Sequence, residues 1–169
     1  ISASLVGSEM CIRDRLSPKE NRDIPPLNYD RAARLAAARP DMQVILNGGL
    51  DNAGATLEQL PSFAGVMIGR AAYRTPMILA DLAAPVFGRE VPARLQIAGA
   101  MADYADRRTA EGVPLHAITR HMLGLYHGQR GARLWRSHLG EEARNRRDGG
   151  ALIREVAAAC EEMAARLAA

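Results

Sequence analysis

Short apolar runs alternate with helical patterns in the first half of the chain. Residues 42–46 (MQVIL) and 65–68 (GVMI) have the length and composition of buried strands. Helix-type patterns come before, between and after these runs, at residues 29–39, 56–60 and 71–84. Asn28 is suited to cap the first of these helices and Pro40 to end it. This alternation predicts the α/β fold class, with a parallel sheet or barrel.

The second half of the chain has helical patterns throughout. Apolar residues at helical spacing predict helices at residues 93–108, 115–126, 131–139 and 151–168. Glycine and proline separate them, as at Gly112-Val113-Pro114 and Gly149-Gly150. We therefore predict two domains, an α/β part at residues 16–88 and an all-α part at residues 89–169. The boundary is expected near residues 87–91.

The beginning of the chain differs in composition from the rest. Residues 5–15 read LVGSEMCIRDR, next to a remainder that is rich in alanine and arginine. This stretch resembles the translation of a transposase-type sequencing adapter read in one frame. We predict that residues 1–15 are a non-native segment joined to a truncated gene, and they are left out of the functional argument.

Composition narrows the class of protein. A hydrophobic fraction of 48% is enough for a core, and no apolar run reaches the roughly 18 residues of a transmembrane helix. We expect no secretory signal, because the N-terminus does not show a basic region followed by an apolar stretch and a small-residue cleavage site. Cys11 and Cys160 cannot form a disulfide framework. His116 and His121 are five residues apart, without a carboxylate at ligand spacing, so no metal site is predicted. We expect a cytoplasmic monomer.

Two glycine sites directly follow the two predicted strands. Asn47-Gly48-Gly49 follows the first strand and Gly69-Arg70 the second, one strand–helix–strand step apart. In a (β/α)8 barrel, the loops after the last two strands build a phosphate site. Glycine lets a phosphate approach backbone N–H groups, and Arg70 can add a charged hydrogen bond. The pair of sites predicts the C-terminal part of a phosphate-binding (β/α)8 TIM barrel.

Each glycine site alone also has a purely structural interpretation, because glycines turn the chain after many strands. Their repetition one βα unit apart favours phosphate binding without identifying the ligand. A phosphosugar and a flavin mononucleotide both carry the required group.

Residues 114–140 are basic and contain no acidic side chain. Their arginines are Arg120, Arg130, Arg133 and Arg136. Arg133 and Arg136 are three residues apart and share one helix face, and Trp135 stands between them in sequence. Uncompensated arginines beside an aromatic residue suit an RNA partner. A solvated surface in an arginine-rich protein is the alternative interpretation.

Four stretches resemble the tRNA-dihydrouridine synthases, specifically the bacterial A-type. They are residues 16–31 (LSPKENRDIPPLNYDR), 46–50 (LNGGL), 65–73 (GVMIGRAAY) and 118–139 (ITRHMLGLYHGQRGARLWRSHL). The resemblance implies a flavoprotein with an N-terminal (β/α)8 barrel and a C-terminal helical domain. It implies that a uridine at position 20 or 20a of the tRNA D-loop is reduced to dihydrouridine. It also implies FMN as the cofactor and NADPH as its reductant.

The resemblance assigns roles to particular residues. The segments that hold the FMN phosphate match Asn47, Gly48, Gly49, Gly69 and Arg70. The positions that contact tRNA match Lys19 and Arg22 in the loop of the barrel part, and Arg133 and Arg136 in the helical part.

The first half of the family's barrel has no counterpart in this chain. That half carries the cysteine that acts as general acid toward the uracil ring, and Cys160, in the last predicted helix, is not a replacement. We therefore predict no catalytic residue here and no activity of this chain by itself. Two other functions stay open: another phosphate-binding barrel enzyme, and a non-catalytic RNA-binding helical module.

Overall fold

Within the described part of the chain, three parallel strands form a sheet in the order β1-β2-β3. The computed structural model describes the backbone of residues 2–5 and all of residues 27–166. The strands are β1 (Ser2–Leu5), β2 (Gln43–Asn47) and β3 (Gly65–Met67). Both strands predicted from apolar runs are confirmed, as is the mixed α/β class. Strand β1 lies in the segment predicted to be non-native, whose origin stays a prediction.

Helix α1 (Tyr29–Ala38) and strand β2 enclose a small core. The Asn28 side chain accepts a hydrogen bond from the backbone N–H of Arg31 at 2.8 Å, so the predicted N-cap is confirmed. Ala32 of the helix packs against Leu46 of β2 in a cluster of buried residues. Burial alternates along β2, which fits a strand whose two faces differ in their surroundings.

Helix α2 (Ala53–Gln59) begins three residues before the predicted start at Thr56. The Asn52 side chain caps it by accepting from the N–H of Ala55 at 2.8 Å. The first turn contains glycine and alanine rather than large apolar residues, so the apolar pattern did not mark it. A 3-10 turn follows at Leu60–Ser62.

Helices and turns make up the described part of the chain after β3. The α-helices are α3 (Arg70–Arg74), α4 (Met77–Phe87), α5 (Arg94–Ala110), α6 (Leu115–Thr119), α7 (Ala132–Glu141) and α8 (Ala151–Ala165), with a 3-10 turn at Glu142–Arg144. The predicted helical character of this half is confirmed for the described residues.

The predicted helix at residues 115–126 is wrong beyond Thr119. Helix α6 ends there, and residues 120–130 form turns. The Thr119 hydroxyl donates to the carbonyl oxygen of Leu139 at 2.9 Å. Met122 and Leu125 are nevertheless buried. The apolar spacing therefore reflects burial within a set of turns, and not a helix face.

Trp135 lies at the centre of the helical core and is completely buried. Its indole Nε1 donates to the carbonyl oxygen of Met122 at 2.9 Å, which satisfies its polar group. The ring packs on Tyr126 with centroids 4.7 Å apart. The core also includes residues of α5 and α8.

Contacts divide the chain into two compact units, Ile1–Ala71 and Ala72–Ala169. Helix α4 belongs by its contacts to the second unit, because Met77 packs into the helical core. The sequence prediction instead places α4 before a boundary near residues 87–91, and that domain boundary stays a prediction.

Candidate functional site

The carboxyl ends of β2 and β3 lie side by side. Asn47 pairs with Met67 across the parallel ladder. Because the two strands run in the same direction, the chain leaves the same edge of the sheet after each of them. The structure thus brings the turn Asn47-Gly48-Gly49 next to the turn that contains Gly69.

The backbone of the first turn requires glycine. Gly48 and Gly49 have φ angles of 113° and 67°, in the left-handed region. A Cβ on Gly49 would lie 2.5 Å from Leu27 Cδ1 and 2.8 Å from the Tyr29 hydroxyl. One on Gly48 would lie 3.0 Å from Leu27 Cδ2. The chain at the start of α1 therefore packs over this turn, which gives both glycines a structural role.

Tyr29 is a residue of this corner that the sequence reasoning missed. Its hydroxyl donates to the carbonyl oxygen of Gly48 at 2.7 Å. Burial, and then the negative charge of Asp51, raise the pKa of Tyr29 above its ordinary value. Nothing in the local pattern indicates a partner so distant in sequence.

The second turn is open where the first is covered. A Cβ added to Gly69 would meet no atom within 4 Å. Arg70 follows, is exposed, and begins helix α3. Of the two turns, the one with Gly69 and Arg70 therefore presents backbone that an anion could approach. Binding of a phosphate stays a prediction for all the residues of both turns, namely Asn47, Gly48, Gly49, Gly69 and Arg70.

Lys19 and Arg22, the predicted tRNA contacts in the barrel part, lie outside the described residues.

Arg133 and Arg136 are both exposed on α7, while Trp135 between them faces the core. Neither arginine forms an ion pair with any of the residues that the structure describes. Arg130, in the turn before α7, is also exposed. The predicted shared face of Arg133 and Arg136 is thus a surface of uncompensated positive charge, and its role in RNA binding stays a prediction.

Two hydrogen bonds attach the end of α6 and the turns that follow it to helix α7. The first joins the Thr119 hydroxyl to the Leu139 carbonyl, and the second joins the Trp135 indole to the Met122 carbonyl. Arg120 and His121 lie between these two attachment points and are exposed.

His138, also on α7, has a partner one helical turn further along the chain. His138 Nδ1 lies 2.6 Å from Glu142 Oε1, one helical turn later.

Residues 2–5 and 27–166 contain no group of three or more histidine, cysteine and acidic side chains placed to hold a metal ion. No helix in that described part is long and apolar enough to cross a membrane.

The amino-acid sequence matches a protein family described as "Dihydrouridine synthase (Dus)" over residues 8–164. The chain belongs to this dihydrouridine synthase family. The match includes the two strand ends and the helical unit, so it agrees with the resemblance read from the sequence motifs. It begins within the segment predicted to be non-native, and that prediction stays untested.

Curated relatives carry the name tRNA-dihydrouridine(20/20a) synthase. The chain is 43% identical over 154 residues to the one from Xanthomonas campestris pv. campestris, which is 91% of this chain and 46% of that protein. It is 43% identical over 136 residues to the one from Pseudomonas aeruginosa, which is 79% of this chain and 41% of that protein. The chain therefore spans less than half the length of these relatives.

Proposed function

We propose that this chain is part of an FMN-dependent tRNA-dihydrouridine synthase that reduces a D-loop uridine, at position 20 or 20a, with NADPH as the reductant. The observation that carries the proposal is the register of β2 and β3, which brings the two glycine turns of a family member to one sheet edge. The names of the relatives support the choice of uridine position.

The described residues at this edge fit the phosphate of FMN. Gly69 leaves its side of the backbone open, and the Arg70 guanidinium follows directly in sequence. A phosphate can accept hydrogen bonds from backbone N–H groups and from arginine together. Tyr29 and Leu27 hold the neighbouring turn of Gly48 and Gly49 in its left-handed conformation.

When bound, FMN would supply the hydride for the uracil ring, and the residues described here would bind and orient the cofactor. Asn47, Gly48, Gly49, Gly69 and Arg70 would hold the cofactor's phosphate. Strands β2 and β3 would be the last strands of a (β/α)8 barrel whose remaining strands belong to a longer protein. The chain by itself would not complete the reaction, because no proton donor to the uracil ring has been identified in it.

The helical unit would face the tRNA. Arg133 and Arg136 are exposed and unpaired among the described residues, which suits a phosphate backbone. Lys19 and Arg22 would add contacts from the barrel part. The protein would be a cytoplasmic monomer.

A hybrid protein tests the proposal. Residues 16–169 of this chain replace the matched residues of the Xanthomonas campestris relative, and the purified hybrid is assayed for flavin absorbance and for dihydrouridine in D-loop tRNA. We expect both. Arg70→Gln should weaken FMN binding about tenfold, since one charged hydrogen bond is lost. Arg34→Gln, an exposed arginine of α1, is the matched control and should retain the flavin.

The outcomes separate the open alternatives. A folded hybrid that carries no flavin and leaves the uridines unreduced, while the unaltered relative does both, would contradict the proposal. A hybrid without flavin that still binds tRNA tightly would favour the non-catalytic RNA-binding module. A hybrid with flavin but without tRNA affinity would favour a different phosphate-binding barrel enzyme.

A further inference from the structure

Three exposed side chains of the helical unit form a cluster. The Tyr73 hydroxyl lies 3.0 Å from His121 Nδ1, and Arg120 Nε donates to His121 Nε2 at 2.9 Å. The rings of Tyr73 and His121 meet edge to face, with centroids 6.0 Å apart. The sequence analysis counts Arg120 among the arginines that suit an RNA partner, but it gives no binding role to His121 or Tyr73.

The hydrogen-bond directions follow from the arginine. Arg120 Nε can only donate, so His121 Nε2 must offer a lone pair and the imidazole is neutral. Its proton is then on Nδ1, which donates to the Tyr73 oxygen. Tyr73 therefore keeps its own O–H for another acceptor, and that side chain is 58% exposed. The terminal nitrogens of Arg120 have no acceptor among the described residues.

The partner of Arg120 distinguishes it from the structural arginines of the same unit. Arg146 lies between Asp148 and Glu155, and Arg154 bridges Asp103 and Asp106. Carboxylates neutralise those two guanidinium groups. A neutral imidazole orients Arg120 instead, so its positive charge stays uncompensated within the described part of the protein.

The backbone beneath the cluster is fixed on both sides. Thr119 and Met122 are joined to helix α7 immediately before and after the Arg120–His121 pair. Gly124 packs so closely on the chain after Tyr73 that an added Cβ would lie 2.1 Å from the carbonyl oxygen of Arg74. This contact holds the end of α3 against the turn that carries His121. The donors are therefore oriented before any ligand binds, which lowers the entropy cost of binding.

We propose that Arg120, His121 and Tyr73 form a binding site for the sugar–phosphate backbone of the tRNA. The Arg120 terminal N–H groups would donate to a phosphate oxygen, and the Tyr73 O–H to the same phosphate or to a ribose 2′-hydroxyl. His121 is a positioning residue that orients both donors. The choice of RNA rests on the proposed function and on the absence of acidic residues from the surrounding segment 114–140.

Binding of tRNA to the full 169-residue chain at several salt concentrations tests this site. Arg120→Gln should weaken binding about tenfold and reduce the slope of log K against log salt by about 0.7 to 0.9, the value for one phosphate contact. Tyr73→Phe should weaken binding about threefold and leave the slope unchanged, because it removes an uncharged donor. Arg120→Lys keeps the charge but loses the bond to His121, and should retain the slope with lower affinity.

His121 is tested by two substitutions. His121→Ala should weaken binding with the salt slope preserved, since the arginine remains but is no longer oriented. His121→Gln keeps an acceptor and a donor and should recover part of the affinity. A merely structural role would not produce that difference. Arg107→Gln and His116→Gln change exposed residues elsewhere on the unit and should bind like the unaltered chain.

Two results would overturn the site. One is unchanged affinity and salt slope in Arg120→Gln and Tyr73→Phe. The other is an equal loss in Arg107→Gln, which would indicate unspecific charge attraction. In the hybrid synthase, the same variants should raise KM for tRNA with kcat unchanged. An active hybrid whose KM does not respond contradicts only this site, whereas a hybrid without flavin or tRNA reduction contradicts the proposed function and the site together.

Discussion

Replacing Gly124 by alanine should destabilise the helical unit, because the glycine touches backbone. The added Cβ would lie 2.1 Å from the Arg74 carbonyl oxygen, 2.8 Å from the Arg74 carbonyl carbon and 3.2 Å from Pro76 Cδ. Ordinary contacts between such atoms are about 3.5 Å, so the two segments must separate by roughly 1.4 Å. Forcing an extra carbon into a packed site costs about 1–3 kcal/mol. The upper half of that range applies here, since no side chain can rotate away.

Urea unfolding followed by tryptophan fluorescence measures this effect. Trp135 is the single tryptophan of the chain and lies completely inside the helical core, so its emission reports on this unit. Gly99→Ala is the matched control: this glycine is inside α5, and its added Cβ would meet no atom within 4 Å. The control should be stabilised by about 0.5–1 kcal/mol, the helix preference of alanine over glycine.

The two substitutions should therefore have opposite signs. Gly124→Ala should also weaken tRNA binding, because separation of the two segments moves Tyr73 away from His121. The reasoning is refuted if Gly124→Ala unfolds at the same urea concentration as the unaltered chain or at a higher one.

Three further substitutions test other parts of the structure. Thr119→Val removes a buried hydroxyl donor and should lower the free energy of unfolding by about 1–2 kcal/mol in urea; an unchanged midpoint would contradict its role as an attachment point. The Gly150 N–H, and then Arg154, lower the pKa of Asp106, so its stabilisation is present above the unfolded value of about 3.9 and is lost as pH falls through the lower folded pKa. Asp106→Asn should thus flatten the acid side of a stability–pH curve, and an identical curve would exclude the effect. Gly49→Ala places a side chain at a φ of 67° and should lower the thermal midpoint; an unchanged midpoint would contradict the requirement for glycine in this turn.

Residues whose role depends on near neighbours were predictable from sequence. Asn28 caps α1 through an N–H three residues later, and the apolar runs of β2 and β3 mark their own burial. The parallel ladder then brings Asn47 and Gly69 to one edge, as the alternation of helix and strand predicts. Short-range patterns were enough for each of these features.

Residues whose role depends on distant partners were not predictable. Apolar spacing predicted that the helix starting at Leu115 would continue through residue 126. The chain instead forms turns after Thr119, where the Thr119 hydroxyl bonds to α7 and Gly124 packs on Arg74. The hydroxyl of Tyr29 reaches Gly48 by the same kind of contact. No periodicity within a single segment carries such information.

The attachment of Thr119 and Met122 to helix α7 also limits how the length of this region can vary. Two residues separate the attachment points, and one inserted or deleted residue would displace one of them by about 3.5 Å, beyond the reach of its hydrogen bond. In the exposed turn at residues 127–130, by contrast, Gln129 is held by short-range backbone hydrogen bonds, to the Tyr126 carbonyl and from the Ala132 N–H. Natural relatives should therefore differ in length at that turn, while the spacing from Thr119 to Met122 should stay constant among them.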